Sequence, residues 1–518
     1  MAGDPFLSDP SKKRKRNRVT SLAKKQKTPT PSPAPHDSEI SSESDLSGSE
    51  DEAKFEKEDG DLESEDEFAA EGAAEKRRRL AKQYLDNLKA QEIDGDDFDA
   101  ADLDEDHLAR RLQEDVAETK GYVYKFYSDK VEPQLGEVQP RTVRIGSKNV
   151  TGVSVKYPYI YTVSKDMELI KWRHTSGKKP QRVKHTKGGS RFFKLNASNP
   201  SANHHWDQIN CVAASPDGKF VVTGGSDARL IIWSAENLSC LKVLDTREAV
   251  NSITFRRGTD QLYAACADLR IRTFSINQFA QLEILYGHQD NITDISALGR
   301  ETCVSVGSRD KTAMFWKIAE ESRLTFRGGD AEKKRKKTDD VAAAAPEAAF
   351  HAEGSIDVVS MVDESHFVTG SDNGNVALWS LSKKKPCFTQ RVAHGLLPQF
   401  EPSQASAETQ EDVAARQIPE RQPYWITAIY SVPYSDIFIT GSYSGEIKVW
   451  RIDRENFRKF SLLGSVAMKG VVVNIDGADL QDDKKLVVYV ATGKEHKLAR
   501  WLGKVEGRNA LTCLTFDL

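Results

Sequence analysis

The chain contains 518 residues, of which 38% are apolar and 29% are charged, and its formal net charge is −4. This length suits about three ordinary domains, or one large repeat domain with tails, and a composition this polar predicts that part of the chain is disordered. No apolar run approaches the roughly 20 residues that cross a bilayer, and no apolar core follows the first basic residues, so we expect neither an integral membrane protein nor a secretory signal.

The net charge is the sum of two regions of opposite sign. Residues 1–140 hold 35 acidic and 22 basic side chains, a balance of −13, whereas residues 141–518 hold 43 and 52, a balance of +9. A basic body favours a polyanionic partner, although a charge of this size is also compatible with ordinary solvation. The six cysteines are scattered without a CxxC pair, which is typical of reduced thiols in a cytosolic or nuclear protein.

Residues 1–68 are expected to form a disordered arm. Between positions 11 and 27 there are nine Lys or Arg residues and no acid, arranged as KKRKR, seven further residues, and KKQK. Two basic clusters at this separation are typical of binding to a nuclear import receptor, and the alternative is a free arm that binds nucleic acid. The candidate nuclear-targeting residues are Lys12, Lys13, Arg14, Lys15, Arg16, Lys24, Lys25 and Lys27.

The same arm continues into an acidic, serine-rich tract. Residues 37–67 hold fifteen acids, two bases and seven serines, and repulsion among these charges prevents collapse and predicts disorder. Phosphorylation of the serines beside acids would add further negative charge. A simple solvated spacer explains the composition equally well.

Residues 69–120 are expected to contain two short amphipathic helical segments. Apolar residues recur at helical spacing in AAEGAAEKRRRLAKQYLDNLKAQE and again in DEDHLARRLQEDVAETKG. Isolated helices this short are marginally stable in water. We therefore expect these segments to fold on a partner or to pack against the rest of the chain.

From about residue 141 the sequence changes to short β-branched runs separated by Gly, Asp and Ser turns. One pattern recurs seven times: a strand, a small-residue turn, a polar residue, and a strand that ends in an aromatic side chain. The strand-end aromatic residues are Trp172, Trp233, Phe274, Trp316, Trp379, Trp450 and Trp501. The turn residues six positions earlier are Asp166, Asp227, Asp268, Asp310, Asn373, Ser444 and Glu495.

Three repeats carry a histidine 22 residues before the turn residue. A histidine in the loop that enters a repeat can hydrogen-bond the turn residue, and the strand-end Trp then excludes water from this buried polar pair. We therefore expect the histidines to be structural rather than catalytic or metal-binding. The expected structural residues are His205, Asp227, Trp233, His288, Asp310, Trp316, His351, Asn373 and Trp379.

Seven units with a basic period of 41–42 residues predict four-stranded blades. The pattern resembles the WD-repeat family, which implies an all-β, seven-bladed propeller over residues 121–518. Larger spacings indicate insertions near 173–203, near 328–348, where KKRKK occurs, and near 396–422. Such a ring is usually closed by strands from both ends of the chain in one blade, and the terminal NALTCLTFDL is apolar enough to supply one of them.

The strongest local feature is a basic run in the first repeat and the loop after it. Between Leu169 and Trp206 there is no acid and there are nine Lys or Arg residues. Cations can hold phosphates while an aromatic ring stacks on a splayed base; the alternative is a solvated loop whose phenylalanines pack on the first or second blade. The RNA-binding candidates in this run are Lys171, Arg173, Lys178, Lys179, Arg182, Lys184, Lys187, Arg191, Phe192, Phe193 and Lys194.

Further cationic candidates lie in turns of the propeller. Arg229, Arg270, Arg309 and Lys311 are close to the turn residues of their repeats, and Arg300 lies in another turn of the fourth. Arginine binds phosphate with two hydrogen bonds or stacks on a base, although each of these alone also fits an ordinary surface charge. We find no phosphate loop, nucleophile elbow or metal-binding cluster, so we expect no enzymatic activity, cofactor, metal or small-molecule substrate.

Several segments carry a narrower resemblance. FRRGTDQLY at 255–263, YGHQDNITDISALGRETCVSVGSRDKTAMFWKIAEES at 286–322, GSDNGNVALWSLSKKKP at 370–386 and EHKLARWLGKVEGRNAL at 495–511 resemble the U3 small nucleolar RNA-associated WD-repeat proteins, the ribosomal RNA processing protein 9 family. EKRRRLAKQYLDNLKAQE resembles the helix that precedes the propeller of that family. The resemblance covers roughly residues 70–518 and includes segments outside the repeats.

This resemblance implies a non-catalytic RNA-binding scaffold of the U3 small nucleolar ribonucleoprotein in the nucleus and nucleolus. It implies recognition of the box B/C element of U3 RNA beside a kink-turn-binding core protein, with other small-subunit processome proteins as neighbours, in pre-rRNA processing and small-subunit assembly. The alternative is a protein-docking WD-repeat adaptor, such as a ubiquitin-ligase substrate receptor or a chromatin reader, that binds peptide at the mouth of the central channel.

Overall fold

The structure, a computed structural model, describes residues 125–328 and 354–518, with gaps at 147, 197, 400, 402–406, 408–409, 419, 455–456, 481–483 and 498–505. Within these ranges, twenty-eight strands form seven four-stranded antiparallel sheets. The expected seven-bladed β-propeller is confirmed. The expected arm, its nuclear-targeting clusters and the two amphipathic segments lie outside the described residues.

Each blade contains four strands, numbered here in chain order. Blade one has β2 (Val150–Lys156), β3 (Tyr159–Ser164), β4 (Glu168–Arg173) and β5 (Gln181–Lys187). Blade two has β6 (Ile209–Ala214), β7 (Phe220–Gly225), β8 (Arg229–Ser234) and β9 (Cys240–Asp245). Blade three has β10 (Val250–Phe255), β11 (Gln261–Cys266), β12 (Arg270–Ser275) and β13 (Ala280–Tyr286). Blade four has β14 (Ile292–Ala297), β15 (Thr302–Gly307), β16 (Thr312–Lys317) and β17 (Ser322–Arg327).

The last three blades follow the same plan. Blade five has β18 (Ile356–Met361), β19 (His366–Ser371), β20 (Val376–Ser380) and β21 (Phe388–Gln390). Blade six has β22 (Ala428–Ser431), β23 (Ile437–Gly441), β24 (Glu446–Ile452) and β25 (Phe460–Ala467). Blade seven has β26 (Val471–Leu480), β27 (Lys485–Gly493), β28 (Ala510–Asp517) and β1 (Arg141–Arg144). In the part of the chain that the structure describes, the helices are α1 (Ser128–Val131) and α2 (Glu411–Arg416), and three-residue 3₁₀ turns cover Glu132–Gln134, Ser190–Phe192 and Pro200–Ala202.

The hydrophobic core lies between adjacent blades. Between blades two and three, Val222 and Leu230 pack against Val250 and Leu262, and all four side chains are inaccessible to solvent. The second and third strands of a blade are covered on both faces and are mostly buried, whereas the outermost strand is largely exposed. We call the face that contains the turns between second and third strands the upper face, and the opposite face the lower face.

Strands from the two ends of the described chain close the ring, as expected. β1 is the outermost strand of blade seven and pairs with β28, which the terminal NALTCLTFDL supplies. Arg141 lies opposite Cys513, and the Thr142 and Thr512 hydroxyls are 3.1 Å apart. The propeller therefore depends on contacts between residues some 370 positions apart in the sequence.

The expectation that Trp501 ends the third strand of blade seven is wrong. That strand is β28, and Phe516, opposite Leu486, occupies the register position that Trp233 holds opposite Val221 in blade two. Trp501 itself lies outside the described residues. HKLARW imitates the repeat pattern, but it lies in the long connection between β27 and β28, so spacing alone selected the wrong aromatic residue.

Blade one also differs from the expected insertion near 173–203. The middle of that segment is β5, the outermost strand of the blade, and only the connections on either side of it lie outside the sheet. β5 is exposed at six of its seven positions, so it lacks the apolar alternation that identifies a strand. The insertion expected near 328–348 lies outside the described residues apart from Gly328, and the one near 396–422 contains α2.

A short segment before β1 packs under blades six and seven. The carboxylate of Asp436, which is fully buried, accepts hydrogen bonds from Tyr127 N (2.8 Å), Ser128 Oγ (2.7 Å) and Arg454 Nε (3.3 Å). Arg454 also pairs with Asp129 at 2.6 Å. These contacts attach residues 125–138 to the lower face of the propeller.

Candidate nucleic-acid interface

The histidine of blade two lies in a buried hydrogen-bond network. His205 Nδ1 lies 2.9 Å from Asp227 Oδ2, and its Nε2 lies 2.8 Å from the Thr223 hydroxyl, which also accepts a hydrogen bond from Trp233 Nε1 at 2.8 Å. The His205 and Asp227 side chains have no solvent-exposed surface. Because every polar atom of the pair has a partner within the blade, the network offers nothing to a ligand.

Blade four repeats the network with one substitution. His288 Nδ1 lies 2.8 Å from Asp310 Oδ2, and Ser305 replaces the threonine between His288 Nε2 and Trp316 Nε1. Burial alone would raise the pKa of Asp310, but the hydrogen bonds from His288 and Thr312 hold it below its usual range. The Asp310 carboxylate is therefore ionised, and hydrogen bonds within the blade hold it in place.

Blade six has a histidine that the spacing rule did not identify. His394 Nδ1 lies 2.9 Å from the Ser444 hydroxyl and its Nε2 lies 2.9 Å from the Thr440 hydroxyl. The separation of 50 residues, rather than 22, reflects the connection that contains α2. No fixed spacing to the turn residue marks His394 in the sequence. His351, the expected partner of Asn373, lies outside the described residues.

Eight of the nine cations in the basic run are exposed on one side of the propeller. They follow the lower turn of blade one, then β5, then the upper loop that leads to blade two. They are Arg173, Lys178, Lys179, Arg182, Lys184, Lys187, Arg191 and Lys194. We call this surface the blade-one basic strip.

Lys171 does not belong to the strip. Its side chain is buried, with Nζ 2.7 Å from the Ala235 carbonyl oxygen and 3.8 Å from the centre of the Tyr159 ring. Burial lowers the pKa of this ammonium group. Lys171 therefore joins blades one and two, and its ammonium group is not exposed to an external anion.

Acidic neighbours engage only part of the strip. Arg182 pairs with Glu168 at 2.7 Å, and Lys187 lies 3.8 Å from Asp166. Within the described residues, Lys184, Arg191 and Lys194 have no ion-pair partner, although the Arg191 guanidinium lies 4.6 Å over the Phe192 ring. These cations remain available to an external anion.

The outermost strands of the blades differ in the charge that they carry. Charged side chains on an edge strand commonly prevent pairing with another chain, and this explanation requires no particular sign. β9 carries one lysine and one aspartate, β13 carries one glutamate, and β25 carries no charge, whereas β17 and β1 each carry two arginines and no acid. β5 carries three cations and no acid in seven residues, and further cations lie in the turn before it and the loop after it, so its charge is part of a longer basic surface.

The two phenylalanines of the upper loop have different environments. Phe192 packs beside His204, with ring centres 5.6 Å apart. Phe193 is 61% exposed, and its ring meets Trp206 edge-on at 5.2 Å. Phe193 is thus the exposed aromatic ring of the loop that ends the basic strip.

Arg229 holds this loop in place rather than facing solvent. Its guanidinium donates to the Phe192 carbonyl oxygen at 2.8 Å and to the Phe193 carbonyl oxygen at 2.7 Å, and the residue is buried. Arg229 therefore positions the strip and is not itself a phosphate ligand.

Replacing this arginine should loosen the loop. In the Arg229→Ala variant we expect trypsin to cleave after Arg191 and Lys194 at least tenfold faster, because two charge-assisted hydrogen bonds to the loop backbone are lost. Limited proteolysis followed by mass spectrometry measures the rate. Arg270→Ala is the matched control, and equal cleavage of the two variants would contradict the anchoring role.

The remaining turn candidates do not form one site. Arg270, which lies 4.8 Å over the Tyr286 ring, and the exposed Arg309 and Lys311 are on the upper face of blades three and four. Arg300 follows the first strand of blade four, at the opposite end of the sheet, and is therefore on the lower face. The structure separates these residues from the blade-one basic strip.

The central channel contains a cavity of about 580 Å³ lined by the innermost strands. Asp294 accepts hydrogen bonds from Ser252 Oγ and Val359 N, and Asp476 accepts one from Val155 N, so both carboxylates connect neighbouring blades. Burial raises the pKa of Asp476 to about 6.

Among the described residues, no group of three metal-binding side chains is placed to hold an ion, and no helix is long and apolar enough to cross a membrane.

The ring of four-stranded blades and its His–Asp–Trp networks define a WD-repeat β-propeller. The family model "WD domain, G-beta repeat" matches residues 199–234 and 279–317. The chain is 43% identical to ribosomal RNA-processing protein 9 of Saccharomyces cerevisiae over 99% of both proteins. It is 33% identical to U3 small nucleolar RNA-interacting protein 2 of Homo sapiens, over 85% of this chain and 82% of the human one. The chain therefore belongs to the ribosomal RNA-processing protein 9 family.

Solved structures agree with this assignment. The structure of U3-55K is 30% identical and covers 72% of this chain and 98% of its own, with a TM-score of 0.58. The crystal structure of the RRP9 WD40 repeats is also 30% identical and covers 73% of this chain and 99% of its own, again with a TM-score of 0.58. The family resemblance seen in the sequence is confirmed.

Proposed function

We propose that this protein is a non-catalytic scaffold of the U3 small nucleolar ribonucleoprotein that binds U3 RNA directly. It recognises the box B/C element beside a kink-turn-binding core protein and supports pre-rRNA processing and small-subunit assembly in the nucleolus. An import receptor that binds the basic clusters between residues 11 and 27 delivers it to the nucleus.

One observation carries this proposal. The blade-one basic strip places eight exposed cations along one edge of the propeller, and no acidic residue occurs between Leu169 and Trp206. Such a surface neutralises the phosphates of a folded RNA, and the exposed Phe193 ring can stack on an unpaired base. The names of the yeast and human relatives, which refer to ribosomal RNA processing and to U3 RNA, fit this chemistry.

Binding of the full-length protein to box B/C RNA at graded salt tests the proposal. If four or five phosphates are neutralised, affinity should fall on the order of 100-fold between 50 and 200 mM salt, because bound counterions are released. An electrophoretic mobility shift assay measures this slope, and an RNA of equal length with a scrambled box B/C sequence is the control. Absence of a shift, or a shift that is independent of salt, would contradict direct binding and favour a protein-docking adaptor.

A further inference from the structure

A second pocket lies on the lower face where blades seven and one meet. It has a volume of about 290 Å³ and is formed by segments that are distant in the sequence: β1, two turns of blade one, and the lower ends of β26, β27 and β28. Its lining includes Arg141, Tyr157, His174, Ser176, Lys485 and Asp517. None of these belongs to the blade-one basic strip, but the strip begins in the same lower turn, at Arg173, Lys178 and Lys179.

The pocket has a firmly held aromatic wall. His174 N donates to the Pro158 carbonyl oxygen at 2.8 Å, and His174 Nδ1 is 2.5 Å from the Tyr489 hydroxyl. The Tyr157 ring lies 5.5 Å from the His174 ring, and Tyr157 is 39% exposed. The two hydrogen bonds hold His174, and the Tyr157 ring beside it is open to solvent and can stack on a flat ligand.

Its polar groups suit a nucleotide. Within the described residues, Arg141 and Lys485 have no ion-pair partner, and the exposed Asp517 is the acidic side chain of the lining. The two cations can hold a phosphate, while the Asp517 carboxylate and the Ser176 hydroxyl can hydrogen-bond the edge of a base. An acidic peptide would satisfy the cations, but it would leave the Tyr157 face unused.

We propose that this pocket binds one unpaired nucleobase, with its phosphate, of the RNA whose backbone lies along the blade-one basic strip. This inference rests on the proposed function, because it assigns a second contact to the same RNA. β5, at about 3.3 Å per residue, extends the strip by roughly 23 Å from the upper loop to the lower turn beside the pocket. A single strand that follows the strip downward therefore reaches Tyr157.

Substitution of Tyr157 separates stacking from charge. With the full-length protein and box B/C RNA, Tyr157→Ala should lower affinity about tenfold, because stacking on one base contributes roughly 1–3 kcal/mol. Tyr157→Phe should bind like the wild type, and neither change should alter the salt slope. Lys485→Gln should instead reduce the salt slope by about one, because one phosphate contact is lost.

Two further variants distinguish loss of RNA binding from loss of folding. Ser176→Trp fills the mouth of the pocket from an exposed turn and should weaken RNA binding to a similar extent. Leu282→Ala removes an exposed apolar side chain from blade three and should bind RNA normally. RNA containing 4-thiouridine should crosslink to the tryptic peptide that begins at Tyr157 or to the one that begins at His174.

The possible outcomes distinguish this inference from the proposed function. If the wild type fails to bind RNA, the proposed function fails. If the wild type binds RNA and both Tyr157→Ala and Ser176→Trp bind it as tightly as the wild type does, the assignment of a nucleobase to this pocket is wrong and the proposed function stands. Normal RNA binding by both variants, with loss of a co-purifying processome protein, would assign the pocket to a peptide and would equally overturn the inference.

Discussion

Replacement of His205 by alanine should lower the free energy of unfolding by about 3–5 kcal/mol. The substitution removes the imidazole whose Nδ1 lies 2.9 Å from Asp227 Oδ2. The Asp227 carboxylate, which has no access to solvent, then loses its main hydrogen-bond donor. It also removes one of the two hydrogen bonds to the Thr223 hydroxyl. Urea unfolding followed by tryptophan fluorescence gives the difference in stability.

A surface ion pair in the same blade supplies the control. Lys219 and Asp217 are 4.0 Å apart and largely exposed, so Lys219→Ala should change the stability by no more than about 0.5 kcal/mol. If His205→Ala were as stable as Lys219→Ala, the buried network would not hold blade two together.

Reversal of three charges on the blade-one basic strip should abolish most RNA binding. In the variant Lys184→Glu, Lys187→Glu and Arg191→Glu, attraction to phosphates becomes repulsion, and we expect affinity for box B/C RNA to fall on the order of 100-fold at 150 mM salt. The salt slope should fall by about three. Mobility shifts at several salt concentrations report both quantities.

The matched control reverses three exposed cations on blade two, Lys219, Lys242 and Arg247, which changes the net charge by the same amount. It should lose far less affinity, because position and not net charge determines the phosphate contacts. Equal losses in the two variants would assign binding to the overall field of the protein. Unchanged affinity in the blade-one variant would move the interface to the upper face near Arg270, Arg309 and Lys311.

The repeats show how far local sequence predicts this fold. The aromatic residue at each strand end and the polar residue six positions earlier predicted seven blades, because each blade is a local four-stranded unit. The same rule failed where the connections lengthen. It selected Trp501 instead of Phe516 in blade seven and missed His394 in blade six.

The sequence predicts the basic character of the candidate interface but not which of its side chains are exposed. The run between Leu169 and Trp206 indicated RNA contact, but it could not show that Lys171 is buried or that Arg229 holds the loop backbone. Both side chains take these roles through contacts with other parts of the chain. The pocket beside Tyr157 was not visible in the sequence, because residues from Arg141 to Asp517 meet only when the ring closes.

Sequencing of the RNA that crosslinks to the tagged full-length protein in cells tests the central claim most directly. The wild type should enrich U3 small nucleolar RNA, with crosslinks concentrated at the box B/C element, and the blade-one variant Lys184→Glu, Lys187→Glu, Arg191→Glu should lose them. Recovery of U3 RNA without crosslinks, or equal crosslinking by both proteins, would contradict direct binding through blade one.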